Sequence, residues 1–540
     1  MLCIDRGVAV ALACLPVLAW ATTGDAALVE RGERLYYGTD AAYARPGIAQ
    51  LAGAALPAQA AACVACHRRS GLGSAESDLV VPPIAGHLLF NPLAPQTGQR
   101  LPWPSRDRVR PAYDAASLAH ALRTGVAPDG RPIGAPMPRY AFTDAEVAAL
   151  AAYLETLSAS TAPGVTDEEV VFATVTTPDV PAQEVDDLLR VLRAYLADRN
   201  AGTRHETRRR AQALRTDSIM YRRFRRWRIE HWPLAGPPAT WSAQLEARYA
   251  AQPVFALLSG LSYDDWTPVH EFCERRRVPC LLPSTPLPPA REDFYSVYFA
   301  PGLAAEADAI ARALADAGVR EAVVWTGETA AGESHRAAVA RALARHGVAV
   351  ASRAPRADDT LVAALAAAQI EARWAALGEA PQRVVVAGAT LGAWPHAWRP
   401  ADATLRARAT VATPLADAAQ AQRQLARARA WFASRRLSFA VERVAVEALF
   451  AAMVANESLV HVDDRFSREY CLEKLEHNLE NTPPLTAYRR LAIGPNQRFA
   501  ARTVDWRPAL GSAAAATPGE ARTWDGLTAE HVTHEKAIAD

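Results

Sequence analysis

Methionine is scarce in this chain: Met1, Met137, Met220 and Met453 are all that 540 residues contain. The net charge is +1, so no global footprint for nucleic acid or a membrane surface is present. Beyond the first twenty residues no stretch is long and apolar enough for a transmembrane helix. No nucleophile–base constellation stands out, no metalloprotease helix, and no internal repeat. A second C-x-x-C is also missing, which removes the partner pair that a structural zinc site needs. What remains is ordinary globular composition, half hydrophobic and 22% charged, at a length that predicts two to four domains.

Against that background one stretch stands out: Cys63-Val64-Ala65-Cys66-His67. C-x-x-C-H is the attachment signature of a c-type haem. Two thiols add to the two vinyl groups of one porphyrin, and the two-residue spacer puts both sulfurs on one side of a helical turn. His67 then serves as proximal ligand. A redox C-x-x-C needs no histidine and sits at a strand-to-helix turn, a context absent here. Met137 follows His67 by 70 residues, in Gly134-Ala135-Pro136-Met137-Pro138-Arg139-Tyr140. A methionine between prolines in a polar loop is poorly explained as core packing. A thioether on the iron explains it, and His/Met ligation raises the reduction potential. The rivals for the sixth position, His87 and His120, read as packing, propionate-side or surface residues. One covalent haem c is expected, on Cys63 and Cys66, with His67 and Met137 as axial ligands.

The first residues read as an export signal, 1–21. Arg6 precedes an apolar run and Ala19-Trp20-Ala21 resembles a cleavage site. Lipid attachment at Cys14 is the alternative. Export to the periplasm agrees with haem attachment, which takes place outside the cytoplasm. Of the seven cysteines, Cys273, Cys280 and Cys471 remain after signal and haem are accounted for. Cys273 and Cys280 either pair in an oxidising compartment or stay as buried thiols. Cys471 is left over as a buried thiol.

Residues 26–37 pattern as a helix, 114–123 as a short one, and 124–140 as a loop rich in Gly and Pro. The apolar segment Pro82-Pro83-Ile84-Ala85-Gly86 suits the proximal side of a haem. Thr143-Asp144-Ala145-Glu146 is a capping box that opens an amphipathic helix bearing Val147, Leu150, Ala151, Leu154 and Leu157. In this order the elements of 26–158 resemble a class I cytochrome c domain. In that family a first-helix glycine, here Gly32 beside Tyr36, lets the first and last helices cross closely, with Tyr153 and Leu154 on the other side. Residues 124–157 are especially similar to cytochrome domains that accept electrons from quinoprotein alcohol dehydrogenases.

Domain limits follow: cytochrome-like 22–158, linker 159–167, a second module 168–510, and a polar tail 511–540 without expected structure. His531 and His534 in the tail read as incidental. In the second module short apolar runs at 170–176, 253–259, 279–282, 294–299, 321–326, 347–351 and 383–388 alternate with helical patterns at 183–198, 304–317, 334–346 and 360–376. Such alternation predicts parallel sheets with helices on both faces, in two lobes. The stretches 255–262, 278–285 and 293–298 resemble the type I periplasmic solute-binding proteins of the branched-chain amino-acid kind. The run 492–499 is similar to a variant of that family found beside quinoprotein alcohol dehydrogenase systems. The resemblance implies ligand contacts from Ser262, Ser284 and Thr285. The expected fold class is therefore multidomain: an all-α cytochrome c domain followed by an α/β bilobed, type I binding-protein-like domain.

Residues 204–228 hold ten arginines against Glu206 and Asp217, with Tyr221, Phe224 and Trp227 interleaved. They read either as a solvated helix with an aromatic inner face or as a docking patch for an acidic partner or haem propionates. Residues 327–334 imitate a phosphate loop, but Glu333 stands where a lysine would be needed, so a strand-to-helix turn is expected. Three functions remain in view. The first is electron transfer, with a periplasmic quinoprotein dehydrogenase as the partner that the resemblance implies. The second is binding or sensing of a small solute, in the manner of ABC-transporter binding proteins, with the haem as reporter. The third, a peroxidase-like enzyme, needs an open sixth iron position and is the least supported.

Overall fold

A computed structural model describes residues 23–76, 79–93, 109–134, 136–201, 225–460, 462, 465–483 and 485–509. The segment expected to direct export, most of the arginine-rich stretch and the tail lie outside the described residues. The described chain divides into two compact units, the first ending at Ala159 and the second beginning at Ser160.

The first unit is mainly helical. Its principal helices are α1 (Thr23–Tyr36), α2 (Cys63–His67), α3 (Ala115–Thr124) and α4 (Asp144–Thr156). The capping box at the start of α4 is present: Glu146 N–H donates to Thr143 Oγ1, and the Thr143 N–H donates to the Glu146 carboxylate. That carboxylate is buried and also accepts from Arg31 on α1 and Arg45. α1 crosses α4 at Gly32, where a Cβ would lie 2.0 Å from the Ala149 carbonyl oxygen and 2.7 Å from Tyr153 Cβ. The nearest crossing partners are thus Tyr153, one of the two expected residues, and Ala149, one turn before it.

The second unit holds two parallel sheets. The first has strands β1 (Glu169–Thr176), β2 (Arg226–Pro233), β3 (Ala256–Leu258), β4 (Cys280–Leu281) and β5 (Ser296–Val297), in spatial order β2-β1-β3-β4-β5, all parallel. The second has β6 (Glu321–Thr326), β7 (Ala349–Ala351), β8 (Thr360–Ala364), β9 (Arg383–Ala387), β10 (Ala409–Thr413) and β11 (Asp505–Pro508). Their order is β7-β6-β8-β9-β10-β11, parallel except for the last pair. Each lobe therefore repeats one doubly wound order. The central strands, such as β3, β8 and β9, are buried on both faces, which is why they read as continuous apolar runs. Helices α5 (Ala182–Ala201), α6 (Trp241–Ala251), α7 (Thr267–Arg276), α8 (Leu303–Asp316), α9 (Ala330–Arg345), α10 (Ala367–Ala375), α11 (Ala418–Ser434), α12 (Glu442–Val460) and α13 (Arg468–Asn481) cover them.

Two sequence expectations are corrected. Residues 360–376 do not form one helix: Thr360–Ala364 is a central strand, and the helix begins at Ala367. The alanine-rich composition favoured helix, but this segment fills the sheet between β6 and β9, and tertiary context overrides propensity. The end of the arginine-rich stretch is also not helical. Arg226, Trp227 and Arg228 lie in β2, with Trp227 buried against Phe172 at 4.6 Å between ring centroids. Tyr221 and Phe224 lie outside the described residues. The phosphate-loop mimic is the expected turn: Thr329 caps α9 by accepting from Gly332 N–H. Cys273 and Cys280 are both buried free thiols, and so is Cys471.

Candidate functional site

In the first unit α2 is a five-residue helix carrying Cys63, Cys66 and His67, with Cys63 and His67 buried and Cys66 exposed. Neighbouring elements hold it in place. Tyr36 at the end of α1 donates its hydroxyl to the Arg68 carbonyl (2.5 Å), and Tyr140 donates to the Ala61 carbonyl (2.6 Å). The chain then returns so that Gly71 O accepts from Ile84 and Ala85 N–H, at 2.7 and 2.9 Å. That return sets the Pro82 carbonyl 2.9 Å from His67 Nδ1. With Nδ1 as the donor, Nε2 keeps the lone pair that a metal needs. Burial pulls the imidazole down to about 4, against the Pro82 hydrogen bond, which raises it. Burial likewise pushes the Cys63 thiol up to about 12. A neutral imidazole with a fixed tautomer and two thiols on one turn is a donor set that fits a c-type haem.

Met137 is half-buried, with its N–H on the Gly134 carbonyl at 3.1 Å. Its loop is fastened by Arg139, which donates to the carbonyls of Met137 (2.6 Å) and Ile133 (3.1 Å). The guanidinium lies over Gly125, whose φ is +76° and where a Cβ would meet it at 2.1 Å. Sequence reasoning passed over Arg139. Its only signal was a long donor beside the loop methionine and a glycine ending α3. His120 is exposed on α3, and His87 is half-buried on a short helix, Gly86–Leu89.

In the second unit a small cleft opens at the carboxyl ends of β4, β5, β9 and β10. Ser284 and Thr285 line it. Ser262 does not: its buried hydroxyl donates to the Asp264 carbonyl and accepts from the Asp264 N–H, both at 3.1 Å. Three ionisable residues that sequence reasoning did not single out complete the wall, Glu306 on α8 and Arg443 and Glu447 on α12. Burial alone would lower the Arg443 guanidinium, but the neighbouring Glu447 holds it well above its usual range. Across the lobes, Ser334 donates to Asp264 Oδ1 at 2.8 Å, and His335 Nε2 meets the Tyr263 carbonyl at 2.8 Å.

Burial pushes the Glu306 carboxyl up to about 8, against the Ala389 N–H and Arg443, which lower it. The folded state therefore holds a proton that the unfolded chain has released. Unfolding stability is fully present at low pH and falls as pH rises between the usual carboxylate range and about 8. The slope is at most about 1.4 kcal/mol per pH unit. Glu306→Gln is expected to flatten that part of the profile, as chemical denaturation of the full chain across pH would show.

Residues 51–158 match the family model for cytochrome c. No curated protein matches the chain. Among solved structures, the chain is similar to an ABC transporter substrate-binding protein from Desulfitobacterium hafniense, at 11% identity and TM-score 0.40, covering 63% of this chain and 97% of that one. A substrate-binding periplasmic protein from Ralstonia solanacearum gives 16% identity and TM-score 0.42, covering 63% and 97%. A leucine binding protein from Thermotoga maritima gives 12% identity and TM-score 0.40, covering 64% and 96%. The two-lobed α/β architecture stands on the strand order and register above. Among the described residues no helix is long and apolar enough to cross a membrane.

Proposed function

We propose that the protein is an exported mono-haem electron carrier, with a quinoprotein dehydrogenase of the periplasm as its electron donor, whose second module is a solute-binding-like scaffold. The observation that carries this reading is the α2 donor set, with His67 Nδ1 committed to the Pro82 carbonyl inside a unit that matches cytochrome c. Cys63 and Cys66 would tether the haem covalently, and His67 and Met137 would hold its iron. Bound haem supplies a one-electron iron couple. The chain's part is positioning. Tyr36 and Tyr140 fix the α2 backbone, Pro82 fixes the imidazole, and Arg139 fixes the methionine loop. The dehydrogenase partner rests on the sequence resemblance alone.

Met137→Ala tests the ligand assignment. The thioether–iron band at the red end of the oxidised spectrum should vanish, and the midpoint potential should fall by a sizeable part of the ~0.8 V that axial ligands span. An unchanged resting spectrum would instead support an open sixth position and peroxidase-like chemistry.

The cleft favours a second reading, in which the bilobed module captures a small solute and the haem reports or anchors. Its ground is the buried Glu306 Oε1, which has no hydrogen-bond partner. Thermal unfolding of the full chain against small solutes tests it. A shift in the second transition supports capture, and none across the panel supports the scaffold.

A further inference from the structure

The charges of the cleft are arranged unequally. Glu447 is 1% exposed and both of its oxygens are engaged. Oε1 accepts from Arg443 Nε at 3.0 Å and from the Tyr488 hydroxyl at 3.3 Å, and Oε2 accepts from the Ser284 hydroxyl at 2.5 Å. The Arg443 charge is cancelled inside the wall, and its Nη1 is directed to the Gly388 carbonyl at 3.3 Å. Ser284, though at the cleft, has its proton committed to Glu447.

Glu306 is also 1% exposed but only half satisfied. Oε2 accepts from Ala389 N–H at 2.8 Å, while Oε1 is buried without a partner. A buried carboxylate with half its acceptor capacity unmet is costly, whereas a carboxylic acid can turn its O–H toward an incoming group. The other ionisable groups of the wall are Tyr298 just after β5, Arg443 and Glu447 from α12 and Tyr488 from the segment after α13. The hydroxyls of Thr285 and Thr413 each accept one backbone N–H at 3.3 Å and keep an O–H to donate. The wall therefore offers several neutral donors and acceptors and no uncancelled charge. An ion or zwitterion entering it would lose its hydration with no opposite charge to meet.

We propose that this cleft is a receptor site for a small uncharged polar solute, an alcohol, polyol or amide, whose hydrogen-bonding group meets Glu306. The proposal rests on the reading of the second module as a binding module. It excludes the amino-acid zwitterions that the resemblance to branched-chain amino-acid binding proteins suggests.

The test uses the full-length holoprotein, followed by thermal unfolding and calorimetry. The probes are 1,2-propanediol, glycerol and propionamide, set against alanine, leucine, propylamine and propionate. At least one uncharged probe should raise the second unfolding midpoint, and none of the four charged probes should. Glu306→Gln, which keeps a neutral donor, should retain binding within a few-fold. Glu306→Leu, which keeps neutrality but no donor, should lose it. Wild-type affinity should fall above about pH 8, where Glu306 ionises, and the Glu306→Gln affinity should not. Binding of a charged probe that Glu306→Gln abolishes would overturn the inference and leave the binding-module reading standing. No response to any probe, with both variants folded by circular dichroism, would overturn both.

Discussion

Replacing Gly32 by valine is expected to unfold the first unit while the second keeps its wild-type melting temperature. α1 and α4 approach so closely that even a Cβ at 32 would stand 2.0 Å from the Ala149 carbonyl oxygen and 2.7 Å from Tyr153 Cβ. Both obstacles belong to the facing helix rather than to the tip of a flexible side chain, so relief requires the helices to separate. Separation would withdraw Tyr36, whose hydroxyl anchors the backbone directly after α2 and whose ring packs 5.3 Å from that of Tyr153. Overpacking typically costs about 1–3 kcal/mol, occasionally more, and this position belongs at the upper end because backbone is met on contact. Differential scanning calorimetry of the full chain would show it: the transition of the first unit lost or lowered by many degrees, the other unmoved. Two wild-type transitions would contradict the crossing.

The second large effect is expected at Arg468, the first residue of α13 after its Ser467 cap. It is 6% exposed, and its guanidinium serves the ends of several segments of the first lobe. Nε donates to the Phe255 carbonyl at 2.9 Å, Nη1 to Arg277 at 3.1 Å, and Nη2 to Val254 at 2.5 Å and Pro163 at 3.1 Å. The Tyr249 hydroxyl is a further partner at 3.1 Å. One side chain thus joins the entry to the module, the approach to β3 and the end of α7. Arg468→Met keeps much of the volume but strands several buried carbonyls at about 1–3 kcal/mol each, before partial relaxation. A loss on the order of 3–5 kcal/mol is expected, read from the urea midpoint of the second unit. A loss under about 0.5 kcal/mol, the scale of an ordinary surface change, would show that the carbonyls are satisfied otherwise.

Much of this was legible in the sequence, for identifiable reasons. C-x-x-C-H and the Thr143–Glu146 capping box are local chemistry, so their spacing alone carries them. Apolar runs flanked by turns gave most strands of the second unit, because strands covered on both faces need no alternation. Where context decided, the sequence was ambiguous. Thr360–Ala364 is helix-forming in composition and a strand by position. The i, i+3 spacing of Phe224 and Trp227 is compatible with a helix face, yet β2 uses Trp227 as a core residue. The candidate cleft was the least visible part. Glu306, Glu447 and Arg443 come from helices far apart in the chain, and as sequence they are ordinary charges on ordinary amphipathic helices. Only burial sets them apart, and burial is a property of the assembled lobes.

The central claim, a single covalent haem held by α2, is tested most directly by mass spectrometry of the full chain produced with a c-type haem maturation apparatus, together with its reduced pyridine spectrum. The account predicts a mass increase of one haem per chain that survives acid–acetone extraction and maps to the peptide containing Cys63 and Cys66. A chain with both thiols free, or haem that extracts completely, would contradict it.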